Sequence, residues 1–506
     1  MGSGVTGVLL EASALFTEDD TGKAAFLRPS AHSLLRRLRY SKILTAIFYE
    51  PGFPAPKVAL LEEMSGRNMF DCLILVSSST EDIVREVTSA WGTARANCVI
   101  VVSGQKEDIS QKLKNSGWLT VILRTSGEGS FKDFEYSGRE NSSLVINKLE
   151  ELPFIICHLN KKANSMENIL VVGYVMKPSR EEDFAKRGAL PLCPTANGLM
   201  FVPLSYELPV ASQLQQVDGV LHKATDEIVG VEMGYASDNK VIFSAGLQEL
   251  QRCIERQTDC CVIDQFQNIY PVIDREKIQQ ILVGLESICT KSPYKTRGPH
   301  FLKIDSFEEP NLESRLLEAN LSLPNIVKPQ VACGVADAHS MAIVFKVDDY
   351  KGLNVPLPAV VQEYVDHSSR LFKFYVLGEK IFYAIKNSTP NAATLMSLSE
   401  ENYLKPILFD SLKSLPVATE NKQLCNKDHA GNQEIDLELV TDAANWLGKI
   451  LELTIFGFDL VIQEGTGDHV IVDLNYLPSF KEVPDDVAVP AFWEAIKRRL
   501  ELKRNK

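Results

Sequence analysis

Residues 456–478 read Phe456-Gly457-Phe458-Asp459-Leu460-Val461-Ile462-Gln463, then Gly465-Thr466-Gly467-Asp468, then Val470-Ile471-Val472-Asp473-Leu474-Asn475-Tyr476-Leu477-Pro478. Two β-rich runs flank a Gly-Thr-Gly-Asp turn, which predicts a β-hairpin. Side chains two apart on a strand share a face, so Asp473 and Asn475 point the same way, and in-register pairing brings Asp459 opposite them. Two carboxylates and an amide oxygen on a rigid sheet suit Mg²⁺ bridging nucleotide phosphates. The bland alternative is a surface hairpin with solvated acids. The apolar strand residues oppose it, because a buried carboxylate needs a partner.

The chain around this hairpin has 506 residues, too many for one core, so two to four domains are expected. Hydrophobic residues make up 45% and charged residues 24%, ordinary values for a globular protein. A net charge of -13 argues against a general nucleic-acid binder, which needs a basic footprint. A small polyanion is still admissible if a few local Lys and Arg side chains meet it. The ten Cys are scattered, with no C-x-x-C, and adjacent Cys260 and Cys261 suit neither a metal knuckle nor an easy disulfide. Reduced, mostly buried thiols are expected. No apolar run is long enough to span a bilayer and no signal peptide is recognisable. Met1-Gly2-Ser3-Gly4-Val5-Thr6 fits the short N-myristoylation pattern, but Val5 starts a strand directly and lipidation is not expected.

From residue 1 to about 150 strands and helices alternate. Val5–Leu10, Lys42–Tyr49, Cys72–Val76, Cys98–Val102 and Leu119–Leu123 read as strands, with helices such as Ser30–Tyr40 and Glu81–Trp91 between them. That pattern implies a parallel, doubly wound α/β sheet whose chemistry lies at the C-terminal strand ends. The first strand ends in Leu10-Glu11-Ala12-Ser13-Ala14, which resembles the first motif of haloacid-dehalogenase-like (HAD-like) phosphatases, hhhhDxD, with Glu11 and Ser13 in the two Asp positions; Ser103 and Lys112 could match later motifs. A Glu displaces the nucleophile by a methylene and a Ser removes the general acid, so residues 1–150 are read as non-catalytic. Residues 127–168, with Ser-Gly-Glu-Gly-Ser at 126–130, read as the inter-domain connection. A second α/β unit begins at Ile169 and runs through Leu199–Pro203, Val217–Leu221, Val231–Tyr235, Val241–Phe243 and Cys261–Ile263. Helices are expected at Asp274–Ser287, with Asp274 as N-cap, and at Glu309–Asn320. Short strands follow at Pro324–Pro329, Met341–Phe345, Ala359–Val365, Leu371–Leu377 and Lys380–Ile385. Residues 387–434 hold no clear period and read as an insertion or mobile segment. Ile435–Leu453 is amphipathic, with Leu437, Val440, Ala444, Leu447 and Ile450/Leu451 on one face, and Val489–Leu502 reads as a closing helix.

The P-loop, G-x-G-x-x-G, H-R-D and H-E-x-x-H signatures are missing, so a nucleotide site needs another architecture. One such architecture grips ATP between two β-rich lobes, with Lys on strands and metal carboxylates on a hairpin. Asn325-Ile326-Val327-Lys328-Pro329, followed by Cys333-Gly334-Val335-Ala336, is an apolar strand with Lys at its end beside a small-residue loop. A lone Lys of this kind more often reaches solvent. Val360-Val361-Gln362-Glu363-Tyr364-Val365 is a candidate hinge that offers backbone groups to adenine.

From about residue 168 to 506 the chain resembles the inositol 1,3,4-trisphosphate 5/6-kinase / inositol-tetrakisphosphate 1-kinase family, and specifically its plant members with an N-terminal extension. The matching segments are Val172-Gly173-Tyr174, Leu221-His222-Lys223-Ala224-Thr225-Asp226, Ile273-Asp274-Arg275, Val327-Lys328-Pro329 with Ala338-His339-Ser340-Met341-Ala342, Val361 to His367 with Leu371-Phe372-Lys373, Phe456 to Asp459, and Val472 to Asn475. They stand in the family's order at near-family spacing. The resemblance implies a three-lobed ATP-grasp domain, with lobes at 168–265, 266–360 and 361–506, after the HAD-like, Rossmann-type α/β domain.

It further implies an ATP- and Mg²⁺-dependent kinase acting on hydroxyls of inositol tris- and tetrakisphosphates, with phosphate exchange between isomers through ADP and ATP as a further activity. By the same resemblance Arg275, Lys328, Gln362, Glu363, Val365 and Ser388 hold ATP. Asp459, Asp473 and Asn475 hold Mg²⁺. Lys223, Arg180, Lys177, His339, Lys373, Asn475 and Ser479 meet the inositol phosphate, and His339 and Lys373 are the catalytic candidates. A monomer, cytoplasmic and also nuclear, is the accompanying expectation. The physics agrees: a phosphorylated ring wants charge-assisted donors, and phosphoryl transfer needs mainly positioning and charge neutralisation.

The chain departs from the family in three places, one of them the insertion at 387–434, which alters a lobe edge. Lys177-Pro178-Ser179-Arg180 stands where the family has a Lys-Lys pair, so Lys177 or Arg180 takes that role. Pro478-Ser479-Phe480-Lys481-Glu482 stands where it tends to read Pro-Gly-Tyr, adding a side chain and a negative charge beside a polyanion. Two other readings compete with the kinase: an ATP-grasp carboxylate–amine ligase, and a weakened kinase serving as inositol-phosphate-binding scaffold. A ligase predicts fewer basic groups than Lys223, His339 and Lys373; a scaffold does not require Asp459, Asp473 and Asn475 together.

Overall fold

The computed structural model describes residues 4–17, 26–74, 80–91, 97–106, 118–124, 143–164, 168–232, 240–257, 259–289, 291–400, 405–413, 416 and 434–504. The chain divides into two compact units: Met1–Leu221 with Glu249–Val262 and Leu500–Lys506, and His222–Gln248 with Ile263–Arg499. Among the described residues no helix is long and apolar enough to cross a membrane.

The first unit opens with six strands, β1 (Gly7–Glu11), β2 (Leu44–Tyr49), β3 (Asp71–Ile74), β4 (Cys98–Ser103), β5 (Leu119–Leu123) and β6 (Leu144–Ile146). Their order is β3-β2-β1-β4-β5-β6 and every pairing is parallel, the doubly wound arrangement that the alternating strands and helices predict. Glu11 ends β1, buried; its Oε1 accepts from Ser13 N at 3.0 Å and from Ser13 Oγ at 2.8 Å, capping the turn Ala12–Leu15. Lys112 and the 126–130 run lie outside the described residues.

The expected connection at 127–168 is different in the part that is described. Residues 144–146 add a strand, and the helix Leu152–Ala163 buries Leu152, Phe154, Ile155 and Ile156. A single hydrophobic core runs from Val8 and Leu10 through Phe154 and Ile156 to Val171, Met200 and Val202. Asn160, fully buried, accepts from Val5 N at 2.6 Å and donates to Leu192 O at 3.0 Å. The sheet after it, with β7 (Leu170–Val175), β8 (Leu199–Pro203) and β9 (Gly219–His222), therefore shares a core with the first. β10 (Ile228–Glu232) and β11 (Lys240–Phe243) form a separate hairpin, and β12 (Cys261–Ile263) completes the order β12-β9-β7-β8.

The second unit is built on two five-stranded sheets. Its strands are β13 (Thr296–Arg297), β14 (Phe301–Ile304), β15 (Asn325–Pro329), β16 (Ser340–Val344), β17 (Ala359–Glu363), β18 (Arg370–Leu377), β19 (Lys380–Asn387), β20 (Ile407–Asp410), β21 (Ile455–Ile462) and β22 (His469–Tyr476). One sheet runs β14-β17-β15-β16-β20 and the other β13-β22-β21-β18-β19. The expected lobe boundary at 360/361 thus falls inside β17, and each sheet borrows a short strand from the other's stretch of chain. Residues 387–434 are not wholly irregular: Ala392–Glu400 is helical and β20 pairs with β16.

Alternation makes the second sheet two-faced. Phe372, Phe374, Phe456, Phe458 and Leu474 are buried on one side, with the Phe374 and Phe458 rings stacked at 4.9 Å. The helix Leu437–Leu451 supports that side: a Cβ added at Gly448 would lie 3.6 Å from Phe456. The other side carries the charges.

Candidate active site

The register lines up three charged residues across three strands. Lys373 of β18 stands opposite Asp459 of β21, and Asp459 stands opposite Asp473 of β22. Gly457 stands opposite Asn475, so Asp473 and Asn475 share this face as the spacing predicts. Between Asp459–Asp473 and Leu460–Ile471 the ladder skips Val472, a one-residue bulge. The bulge carbonyl has a use: Lys328, from β15 of the other sheet, donates to Val472 O at 3.3 Å. The two sheets meet at the acidic pair.

Lys373 Nζ lies 2.8 and 2.9 Å from the two Asp459 carboxylate oxygens. Burial pushes the Asp459 carboxyl up, Lys373 opposes it and Asp473 adds to the rise; the net shift is upward. Burial lowers the Lys373 pKa, but Asp459 outweighs it and the net shift is upward. Burial pushes Lys328 down to about 8, with Asp473 resisting and Arg275 assisting. Two facing carboxylates and one amide are a hard-oxygen donor set of the kind Mg²⁺ takes. Among the described residues no group of three His, Cys, Asp or Glu side chains could hold a metal, and Asn475 is the third side-chain oxygen of the candidate set.

Lys223 reaches the end of the same strand. Its ammonium donates to Tyr476 O and lies 5.3 Å from that ring's centroid. The Tyr476 hydroxyl is in contact with His222 O at 2.8 Å and Ile263 O at 3.0 Å, and accepts from Asp264 N at 3.0 Å. Asn475 is exposed and Ser479 half-buried. His339 is half-buried, with Nδ1 3.2 Å from Ser411 Oγ; burial and Arg275 hold its pKa below the usual value.

Four expected nucleotide contacts have other employment. The Arg275 guanidinium is buried against backbone: Nη1 donates to Pro329 O, Val331 O and Ala338 O at 2.7–3.1 Å, and Nη2 to Ala332 O at 3.4 Å. It braces the loop after β15, and its buried Nε has no hydrogen-bond partner among the described residues. Gln362 lies in β17, an interior strand between β14 and β15, so its backbone is shared between two ladders and its Oε1 accepts from Gln279 at 3.3 Å. Glu363 is gripped by Arg297 at 2.8 and 2.9 Å and accepts from His300 N at 2.9 Å. Burial raises its pKa, but these donors win and the net shift is downward. Ser388 Oγ is 2.8 Å from His367 Nε2, while His367 Nδ1 is 2.6 Å from Val365 O. The carbonyl accepts, so Nδ1 carries the proton and Nε2 takes the Ser388 hydroxyl. His367 therefore ties Val365 to Ser388, a role that sequence reasoning missed; the signal was a His two residues beyond Val365, at the end of an apolar strand.

Lys177 and Arg180 belong to the first unit, at the start of the helix Pro178–Lys186. Their neighbour Glu181 fixes that helix, receiving Arg37 Nη2 at 3.0 Å and the Tyr174 hydroxyl at 2.8 Å.

Two family models match the chain. Residues 1–162 match the model of the N-terminal HAD-like domain of ITPK4, and residues 292–492 match the inositol 1,3,4-trisphosphate 5/6-kinase ATP-grasp domain. The chain is 48% identical over 502 residues to inositol-tetrakisphosphate 1-kinase 6 of Oryza sativa subsp. japonica, covering 99% of this chain and 89% of that protein. Inositol-tetrakisphosphate 1-kinase of Danio rerio is similar at 24% identity over 62% of this chain and 75% of its own length. Inositol-tetrakisphosphate 1-kinase 1 of Zea mays is similar at 25% identity over 64% of this chain and 89% of its own.

Proposed function

The chain belongs to the inositol-tetrakisphosphate 1-kinase family, with its ATP-grasp fold, and on that premise we propose that it transfers the γ-phosphoryl group of ATP to a free hydroxyl of an inositol tris- or tetrakisphosphate. The observation that carries the proposal is the row Lys373–Asp459–Asp473, with Lys328 and Asn475 beside it, where two sheets meet.

In the transfer the bond from the γ-phosphorus to the bridging oxygen breaks, and a bond to the ring oxygen forms. The ring hydroxyl releases its proton and the leaving oxygen becomes ADP's terminal phosphate. Lys328 binds donor phosphate from β15, and Lys373 draws the transferring group onto the sheet face. His339, kept neutral by burial and Arg275, orients the acceptor hydroxyl. Lys223 meets a ring phosphate from the end of β9. Asp459, Asp473 and Asn475 would hold Mg²⁺, which when bound offsets donor phosphate charge. His367 keeps Val365 and Ser388 at a fixed separation for the adenine side. Run backwards with ADP, the same site exchanges phosphate between isomers. Residues 1–162 take no part in the chemistry in this reading, since Glu11 is occupied by Ser13.

The discriminating experiment is ATP consumption with Mg²⁺ against two panels, inositol tris- and tetrakisphosphates and carboxylate–amine pairs. The proposal expects turnover only with the first. Turnover with the second supports a ligase, and none with either supports a scaffold.

A further inference from the structure

Glu482 comes six residues after the end of β22, in the 478–482 segment. Phe480 anchors that segment: it is fully buried, its ring 5.5 Å from that of Phe492, and Val483 N closes a turn onto Phe480 O at 3.1 Å. The Glu482 side chain is only 18% exposed and both its oxygens are held. Tyr375 donates its hydroxyl to Oε2 at 2.6 Å, and Lys386 donates to Oε1.

Both partners belong to the charged face. Tyr375 stands opposite Gly457 and Lys373 opposite Asp459 on β21. On the other side Lys373 stands opposite Ala384 and Leu371 opposite Lys386 on β19. Residues two apart share a face, so Asn475, Asp473, Asp459, Lys373, Tyr375 and Lys386 form one surface. On this face Lys373 pairs with Asp459 and Lys386 with Glu482, while Lys380, opposite Leu377, stands at its far end. Burial pushes the Glu482 carboxyl up, but its donors Lys386 and Tyr375 outweigh burial and keep it charged.

A site for a phosphorylated ring gains nothing in affinity from such a carboxylate. It repels a phosphate, and it occupies Lys386, which could otherwise have met one. It still accepts a hydrogen bond from a hydroxyl. We propose that Glu482 determines acceptor specificity, closing the Lys386–Tyr375 edge of the site to a ring phosphate and receiving a ring hydroxyl there. The inference rests on the reading that this face holds the inositol phosphate.

The test is the ratio of kcat/KM for inositol pentakis- or tetrakisphosphates to that for trisphosphates, in the full-length chain. Glu482→Gln keeps shape and an acceptor oxygen but removes the charge and frees Lys386. The ratio should shift toward the more phosphorylated acceptors by about tenfold, with the KM for ATP unchanged. The double variant Glu482→Gln/Lys386→Met should lose that gain, because the released ammonium carries it. Thermal unfolding of each variant checks that it is folded. A folded Glu482→Gln with an unchanged ratio overturns the proposal, as does a gain that survives in the double variant. A parent chain that turns over no inositol phosphate overturns the kinase reading and this inference with it.

Discussion

Lys373 and Asp459 face each other across β18 and β21, the ammonium 2.8 and 2.9 Å from the two carboxylate oxygens. The pair is the centre of the charged face, because Asp473 on the next strand repels Asp459 and Lys373 alone of the three is positive. Removing one partner of a buried pair leaves an uncompensated charge. Lys373→Met should therefore cut inositol phosphate turnover by at least about a hundredfold, at a cost in stability of roughly 1–3 kcal/mol. Lys373→Arg should keep the stability and lose most of the rate. Steady-state kinetics and urea unfolding on the same preparations check both, and a Lys373→Met enzyme of parental activity would remove Lys373 from the site.

Gly457 is the gap in the row. A Cβ there would come within 2.8 Å of Phe374 O and 3.1 Å of Pro478 Cγ. Backbone cannot yield as a side chain tip can, so Gly457→Ala should destabilise the chain by roughly 1–3 kcal/mol and push Asn475 and the 478–482 segment out of place. A lowered unfolding midpoint together with a raised KM for the inositol phosphate is the expected signature.

His367 ties the Val365 carbonyl to the Ser388 hydroxyl. His367→Phe fills the space without either hydrogen bond. The KM for ATP should rise about tenfold, the worth of one or two buried hydrogen bonds, while the KM for the inositol phosphate stays within about twofold. An equal rise in both would show that His367 supports the fold in general and not the hinge.

Asp264 offers a pH test of the second unit. It is fully buried, its oxygens accept from Thr454 N at 2.7 Å, from the Thr454 hydroxyl and from Ile455 N at 3.4 Å. Burial nevertheless pushes its pKa up to about 6, from a usual 3.8. The folded state then binds a proton that the unfolded state releases, so this contribution is complete below about pH 4 and is lost as pH rises through about 6. Asp264→Asn, which cannot ionise, should flatten that part of the stability profile. A profile with the same slope in both proteins would show that Asp264 is charged in the fold.

The hairpin and its acids were legible because a strand's two-residue period writes its faces directly into the sequence. The parallel first sheet was legible for the same kind of reason, apolar strands separated by helices. The shared core of the first unit was not, although Leu152-Pro153-Phe154-Ile155-Ile156-Cys157 is an apolar run, because the polar residues before it give no period that ties it to the strands. The backbone setting of Arg275 was not legible, because a sequence shows a cation but not the carbonyls of residues 329–338 that fold back around it. The pairing of β20 with β16 joins segments more than sixty residues apart, and no local pattern specifies it. Glu482 reads in sequence as a plain negative charge, because Tyr375 and Lys386, which hold its oxygens, lie about a hundred residues away in the chain.

The most direct measurement of the central claim is phosphate transfer from ATP to an inositol tetrakis- or trisphosphate, with products resolved by isomer, in the parent chain and in Asp473→Ala over a Mg²⁺ titration. Asp473 faces Asp459 and lies within reach of Lys328's charge, so its loss should abolish the Mg²⁺-dependent product while the unfolding midpoint stays close to the parent's. A folded Asp473→Ala chain that still makes the same product at the parental rate would contradict the account.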